Sequence, residues 1–158
     1  MNTVETVQDQ ETVLNIKTIL VAVDLSFHSE KTVAYALAVA RRFGASLKLI
    51  HVYTPPTSTE FGMQDTYSLL EQDREDAERR LAALADQVRR DYPKCEYLLR
   101  TGDPSEQITN TANLLGADLI VTECHHQTVV GHLLNLDQAP KIIHRARCPV
   151  LVWRDEEP

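Results

Sequence analysis

The sequence lacks the features that mark membrane-spanning, secreted and nucleic-acid-binding proteins. No apolar run approaches the roughly 20 residues that a membrane-spanning helix needs. Lysine and arginine number only 16 against 23 acidic residues, and this net charge of −7 makes nucleic acid and anionic membrane surfaces poor partners. The three cysteines are widely spaced and form no CxxC motif, so reduced thiols in a cytoplasmic protein fit better than a disulfide framework. The polar, acidic N-terminus also lacks the pattern of a signal peptide.

What the chain does contain is a regular alternation of short apolar segments and amphipathic helical segments. Continuous apolar runs predict strands at 17–24, 46–52, 95–100, 118–123 and 148–153. Helical patterns lie between them, and the clearest begins with Asp103 as N-cap and Pro104 at the first helical position, and ends at Gly116. This order predicts one doubly wound, Rossmann-like α/β domain, with five parallel strands and helices on both faces of the sheet.

The predicted domain covers residues 16–153. Residues 1–15 are expected to be a flexible polar lead, and residues 154–158 a charged tail. The sequence contains no internal repeat and no linker, so a second domain is not expected.

Glycine is scarce where a doubly wound fold would place a phosphate-binding loop. Ligands of such sheets bind at the carboxyl ends of the strands, which places Asp24, Val52 and the loop 121–137 around one crevice. Phosphate loops are rich in glycine because the backbone must approach the ligand closely. The stretch VTECHHQTVVGHLLNLDQAP (121–140) has one glycine, two carboxylates and three histidines. This composition is wrong for binding phosphate.

Several blocks of the sequence, taken in order, resemble the universal stress protein family. They are ILVAVDLS, LKLIHV, GDPSEQI, GADLIV and CPVLVW, and the likeness covers about residues 16–153. The resemblance implies a strand order of 3-2-1-4-5. It also implies a cytoplasmic homodimer and a role in stress survival, usually with no assigned enzymatic reaction.

The resemblance also locates the phosphate motif that many family members use to bind ATP. That motif, Gly-x2-Gly-x9-Gly-(Ser/Thr), falls on Glu123, His126, Leu136 and Asp137, and all four residues depart from it. Two positions gain negative charge, which repels a triphosphate, and two gain bulk. The sequence therefore resembles the branch of the family that does not hold ATP, and no cofactor is expected.

The positions on the adenine side of the family site are retained. Asp24 and Val52 match the residues that usually flank the base and the ribose. An ATP-binding or weakly hydrolysing switch with a rebuilt phosphate loop therefore stays open as the alternative to a non-catalytic stress protein that acts through protein partners.

The residues at this edge of the predicted sheet suggest three other chemistries. Asp24 could accept a phosphoryl group or bind a metal, but a capping role in the loop before the next helix, where Ser29 is the expected N-cap, explains it better. Cys124 and His126 would share one side of an extended segment, and a transition-metal site is possible there, although no known ligand spacing is met. The alternative is that one of the two histidines His125 and His126 bonds the loop backbone and the other faces solvent.

Catalytic and redox chemistry find less support in the sequence. Ser26 and Ser29 with His28 contain a hydroxyl and a base, but no third partner or oxyanion motif accompanies them. Cys124 stands beside Glu123, which disfavours the thiolate that a redox sensor needs.

The last strand is the expected dimer contact. CPVLVW would lie at the edge of the sheet, and an apolar edge without a central lysine or proline invites pairing. A two-fold axis could pair this strand with its own copy in antiparallel fashion. We therefore expect a homodimer whose contact centres on Val150, Leu151 and Val152.

Overall fold

The computed structural model describes residues 14–55, 63–124 and 138–154, which form five strands and four helices. The strands are β1 (Thr18–Ala22), β2 (Ser46–Tyr53), β3 (Cys95–Thr101), β4 (Leu119–Cys124) and β5 (Val150–Arg154). The helices are α1 (Ser29–Phe43), α2 (Met63–Asp91), α3 (Pro104–Leu115) and α4 (Gln138–Arg145). Residues 1–13 and 155–158, where the polar lead and the charged tail are predicted, lie outside the described residues.

The five strands form one sheet in the order β3-β2-β1-β4-β5, and every pair is parallel. The predicted α/β class, the parallel sheet and the implied strand order are thus confirmed. The chain adds β2 and β3 on one side of β1, and then returns to add β4 and β5 on the other side. The switch point lies between β1 and β4, where the carboxyl ends of the two strands open a crevice.

Both faces of the sheet are covered by helices, which explains the continuous apolar runs in the strands. Ile19 and Val21 of β1 pack toward α1 and α2, whereas Leu20 and Ala22 pack toward α3 and α4. Successive residues of a strand point to opposite faces, so a strand with two covered faces is apolar throughout.

The predicted ends of α3 are also confirmed. The Asp103 carboxylate accepts a hydrogen bond of 2.9 Å from the backbone N–H of Glu106, and Pro104 opens the helix. Gly116 ends it in the left-handed conformation with φ 59°, which a residue with a Cβ rarely adopts.

The start of α1 differs from the prediction. Ser29 is the first helical residue, and the N-cap position belongs to His28, whose side chain makes no capping bond. The Ser29 hydroxyl instead donates to the Asp24 carboxylate at 2.9 Å. The Ser29 hydroxyl, which the sequence predicts as the cap of α1, is therefore bonded to Asp24 instead.

Within the described ranges, no helix has the length and the apolar character that crossing a membrane would require.

Candidate functional site

A cavity of about 460 Å³ opens at the carboxyl ends of β1, β2 and β4, next to the switch point of the sheet. This size lies within the range of roughly 300–1,000 Å³ that small-molecule sites occupy. We call it the switch-point cavity. Its described lining comprises Ala22, Val23, Asp24, Ile50, His51, Val52, Tyr53, Thr54, Pro104, Ile108, Thr122, Glu123, Gln138 and Ile142.

The floor of the switch-point cavity is apolar. Ile50 and Val52 of β2 are buried there, and Ile108 of α3 and Ile142 of α4 close it from the helical side. These side chains belong to the core cluster between the sheet and the two helices, so the floor is held by the packing of the fold itself.

Asp24 lies at the rim, directly after β1, and its carboxylate is held by the loop that follows. Oδ1 accepts hydrogen bonds from the backbone N–H of Ser26 at 2.8 Å and from the Ser29 hydroxyl at 2.9 Å. Burial raises the pKa of Asp24, but the hydrogen bonds from Ser26, Glu123 and Ser29 together outweigh it and hold the pKa well below its usual range. Asp24 is therefore ionised across the neutral range.

The loop after Asp24 turns sharply at Leu25. Its φ of 62° is in the left-handed region, which is uncommon for a residue other than glycine. The Leu25 side chain is buried, and the Arg80 guanidinium donates to its carbonyl oxygen. Packing and this hydrogen bond stabilise the turn that follows Asp24.

Glu123 ends β4 on the opposite side of the switch point. Its Oε2 accepts a hydrogen bond of 2.8 Å from the hydroxyl of Thr32, a fully buried residue in the first turn of α1. The Glu123 carboxyl also shares a hydrogen bond with Asp24.

His51 is a member of the site that the sequence reasoning missed. Its Nδ1 lies 2.8 Å from the Val23 carbonyl oxygen, which requires Nδ1 to donate. Burial lowers the pKa of His51, and the Arg80 guanidinium acts in the same direction, against the raising effects of the Val23 carbonyl and the Asp24 carboxylate. The imidazole is thus neutral at pH 7. The available signal was a histidine inside the otherwise apolar run of β2.

The structure brings together three of the six residues predicted for the nucleotide site: Asp24, Val52 and Glu123 all line the switch-point cavity. The other three positions, His126, Leu136 and Asp137, lie outside the described residues. Their assignment as departed phosphate-loop positions, and the role of all six in a nucleotide site, stay predictions.

The structure bears on two of the alternatives, a metal site and a catalytic serine. Searching the described residues finds no group of three His, Cys, Asp or Glu side chains that could hold a metal ion. The histidines of the proposed metal site, from His125 onward, lie outside those residues. Ser26 Oγ accepts from the backbone N–H of His28 at 3.2 Å, and the Ser29 hydroxyl donates to Asp24, so both serines serve the turn before α1.

Comparison with known proteins places this geometry in context. Residues 15–154 match the universal stress protein family. A universal stress protein of Thermus aquaticus is 35% identical over 144 residues, which cover 87% of this chain and 98% of that protein. Universal stress protein A of Escherichia coli is 31% identical over 143 residues, covering 89% of this chain and 97% of that protein.

Solved structures show the same fold at lower identity. The universal stress protein UspA of Lactobacillus plantarum superposes with a TM-score of 0.71 at 20% identity, covering 87% of this chain and 97% of that one. A universal stress protein of Archaeoglobus fulgidus in complex with dAMP superposes with a TM-score of 0.62 at 22% identity, covering 87% and 98%. The family match spans nearly the whole described chain, and the chain belongs to the universal stress protein family, whose members act in the stress response.

Proposed function

We propose that this chain supports stress survival as a cytoplasmic, non-catalytic homodimer that binds protein partners. The observation that carries the proposal is the free edge of β5. Along the described chain, β5 pairs with β4 on one side and with no strand on the other. Val152 at the middle of β5 is 36% exposed. An apolar edge strand of this kind favours pairing with a second copy.

The side chains of β5 divide between the core and the edge. Leu151 packs against the cluster that contains α1 and α2, and Val150 against the cluster that contains α3 and α4. Only Val152 of these three is exposed. In an antiparallel pair, the side chain of Val152 would contact the partner strand, while Val150 and Leu151 would contribute mainly through their backbone.

A non-catalytic role is supported by the state of the polar groups at the switch point. The hydroxyls of Ser29 and Thr32 donate to carboxyl oxygens, and His51 donates to a backbone carbonyl. These hydrogen bonds hold the loops around the switch point in place.

The hydrogen-bond ladder identifies a variant that tests the edge without breaking the sheet. Ile120 pairs with Val150, and its N–H donates to the Pro149 carbonyl at 3.0 Å. In a parallel ladder, this pattern directs the N–H of Leu151 toward β4 and that of Val152 toward the free edge. Val152→Pro therefore removes a donor from the edge alone, whereas Leu151→Pro removes one from the β4–β5 ladder.

Sedimentation at micromolar concentration is the direct experiment. We expect the wild-type chain to sediment as a dimer and Val152→Pro as a folded monomer. Leu151→Pro should also lose stability, because it breaks a bond inside the sheet. Replacing an exposed aliphatic residue elsewhere, as in Leu114→Lys on α3, is the control and should leave the dimer intact. A wild-type chain that sediments only at 17.9 kDa contradicts the proposal. A Val152→Pro variant that remains a dimer contradicts the choice of strand.

A second function, the binding of an adenine nucleotide, is favoured by the open switch-point cavity. The Archaeoglobus fulgidus protein with the same fold was solved with dAMP. Against this function stands Glu123, a residue of the described lining that replaces the first glycine of the family's phosphate motif with a bulkier, acidic side chain. We therefore rank this function second.

A further inference from the structure

The turn between β1 and α1 is held by side chains from two other elements. Nδ1 of His51, on β2, donates to the carbonyl oxygen of Val23 at 2.8 Å. The guanidinium of Arg80, on α2, donates to the carbonyl oxygen of Leu25. These two carbonyls flank Asp24 in the chain. We call the two hydrogen bonds together the carbonyl clamp, since they fix the path of the backbone as it leaves the sheet.

The turn that the carbonyl clamp holds contains a strained residue. Leu25 has a φ of 62°, a conformation that is costly for a residue with a branched side chain. Such strain persists only where the surrounding structure enforces it, and it is found in segments that change conformation. The Leu25 side chain is buried in the core cluster, but Arg80 is exposed, so water can replace its bond to Leu25. The clamp is therefore the part of this turn that can be released.

The same turn contributes to the walls of two cavities. Val23 and Asp24 line the switch-point cavity. Leu25 and Phe27 line a second cavity, of about 420 Å³, which Arg80 closes from the side of α2. A movement of the turn would therefore change the shape of both cavities at once.

His51 is the member of the carbonyl clamp that titrates near neutral pH. The carbonyls bound by His51 and Arg80 are only two residues apart, so a proton added to the imidazole places a second positive charge close to the guanidinium. Burial is the largest influence on His51 and lowers its pKa. The Val23 carbonyl and the Asp24 carboxylate raise the pKa, Arg80 lowers it, and the pKa remains below its ordinary value.

The other groups around His51 do not neutralise this added charge. On the neighbouring strand β3, the residue in register with His51 is the apolar Leu99. Tyr53, two residues further along β2, is uncharged at neutral pH, and burial raises its pKa. Among the described residues, the charges that act on His51 are those of Asp24 and Arg80, and the effect of Asp24 is smaller than that of burial.

We propose that acid opens this turn: a proton on His51 breaks the carbonyl clamp, Arg80 leaves the Leu25 carbonyl, and residues 23–29 move away from α2. The proton comes from the solvent and binds Nε2, because Nδ1 already carries the hydrogen that bonds to Val23. This inference goes beyond the proposed dimer and does not depend on it.

The direction of the pH dependence follows from the histidine. The pKa of His51 is lowered in the closed turn and returns toward 6.5 when opening exposes the ring to water. The closed turn therefore keeps its full stability above about pH 6.5 and loses it as the pH falls from there toward the pKa of the closed state. Because opening takes up one proton in this window, it should increase by up to about tenfold per pH unit.

Hydrogen exchange on the full chain between about pH 5 and pH 7.5 measures the opening, once the intrinsic exchange rate at each pH is divided out. In the closed turn, the N–H of Ser26 is bonded to the Asp24 carboxylate and that of Ser29 to the Ser26 carbonyl. We expect the protection of both amides to fall by at least about threefold per pH unit below pH 6.5.

The N–H of Glu106 is the matched control within the same chain. It is bonded to the Asp103 carboxylate at 2.9 Å, much as the N–H of Ser26 is bonded to Asp24 at 2.8 Å, but it lies at the start of α3. Its protection should not change over this pH range. Protection at Ser26 and Ser29 that is as constant as that at Glu106 overturns the proposal.

His51→Gln assigns the pH dependence to the imidazole, since glutamine retains a donor for the Val23 carbonyl but does not titrate. The folded variant should keep the same protection at Ser26 from pH 7.5 to pH 5. His144→Gln removes an exposed histidine on α4 and should behave like the wild type. A pH dependence that persists in folded His51→Gln contradicts the role of His51.

NMR titration of the His51 ring decides the proposal on the wild-type chain even if His51→Gln fails to fold. We expect a midpoint below pH 6.5, and a higher midpoint in Arg80→Gln, which removes the neighbouring charge but retains side-chain N–H donors. A wild-type midpoint at or above pH 6.5, or an unchanged midpoint in Arg80→Gln, overturns the coupling between the two members of the carbonyl clamp.

Discussion

At the scale of single residues, Asp24 connects the end of β1, the start of α1 and the end of β4. Its carboxyl group accepts from Ser26 and Ser29 and shares a hydrogen bond with Glu123. The sequence placed Asp24 at the end of a strand and favoured a capping role, which agrees with its bond to the Ser26 backbone. The contact with Glu123 joins residues far apart in the chain, and only the pairing of β1 with β4 brings them together.

The low pKa of Asp24 predicts a pH-dependent contribution to stability. Its folded pKa lies below the ordinary aspartate pKa of 3.8, so the contribution is fully present above about pH 5 and is lost as the pH falls through 3.8 toward the folded pKa. We expect Asp24→Asn to lower the free energy of unfolding at pH 7 by about 1 kcal/mol, because a charge-assisted hydrogen bond is lost. Urea denaturation at pH 7 and about pH 3 measures this, and the difference from the wild type should shrink at the lower pH.

Asp86→Asn is the matched control for that experiment. Asp86 pairs with Arg89 on the exposed surface of α2, and such surface pairs contribute little to stability. A cost for Asp24→Asn that stays the same at both pH values would show that the amide disrupts the loop by its shape rather than through its charge.

At the scale of the elements, local patterns predicted the strands and helices to within a few residues. β1 ends at Ala22, although the apolar run continues to Val23, because the chain leaves the sheet before Asp24. β5 begins at Val150, after Pro149, which has no N–H for the ladder. Local patterns could not predict contacts between residues of different elements. The Ser29 hydroxyl was expected to cap α1, but it donates to Asp24, which follows β1.

The cap of α3 is an element whose contribution can be measured directly. The Asp103 carboxylate accepts from the Glu106 backbone and from the Ser105 hydroxyl, and these bonds lower its pKa. We expect Asp103→Ala to lower the free energy of unfolding by about 1 kcal/mol, and Asp103→Asn to cost only a few tenths, because asparagine also caps helices well.

Urea denaturation with a fixed slope tests this prediction, since a changed slope would indicate a different unfolded state rather than a lost cap. Equal stability of Asp103→Ala and the wild type would mean that the N-terminus of α3 is held by packing alone, through residues such as Ile108 on the cavity floor.

At the scale of the whole molecule, the fold is that of the universal stress protein family, whereas an unsuitable charge for phosphate at the cavity stays a prediction. The doubly wound topology determines where a cavity opens, and the sequence located that place from Asp24 and Val52. It could not foresee that Glu123 turns toward Thr32 and Asp24, because that orientation depends on the distance between β4 and α1. Because fold and ligand chemistry are separable in widely used folds, the shared fold does not by itself predict a nucleotide ligand for this chain.

Thermal unfolding with Mg-ATP tests this separation. A ligand present at about 100 times its dissociation constant would add roughly 2.7 kcal/mol to the stability of the folded chain. For a domain of this size, that corresponds to a rise in Tm of several degrees, at about 2–4 °C per kcal/mol. We expect almost no shift, because the predicted phosphate positions have lost the glycines of the family motif and include two acidic residues, Glu123 and Asp137. A saturable shift of several degrees, or ATP that co-purifies with the chain, would instead support the nucleotide function.

Restoring the family motif distinguishes two reasons why the chain would not bind ATP. One is repulsion at the phosphate positions, and the other is the shape of the cavity. The combined changes Glu123→Gly, His126→Gly, Leu136→Gly and Asp137→Ser remove two carboxylates and rebuild the glycine pattern. Because the switch-point cavity already has an open, apolar floor, this variant should gain a measurable rise in Tm with Mg-ATP, whereas Glu96→Gln, which removes a charge at the other edge, should not. A folded quadruple variant that still ignores ATP would show that the floor and the Asp24 loop cannot hold an adenosine, and that the cavity selects its ligand by more than the charge at its rim.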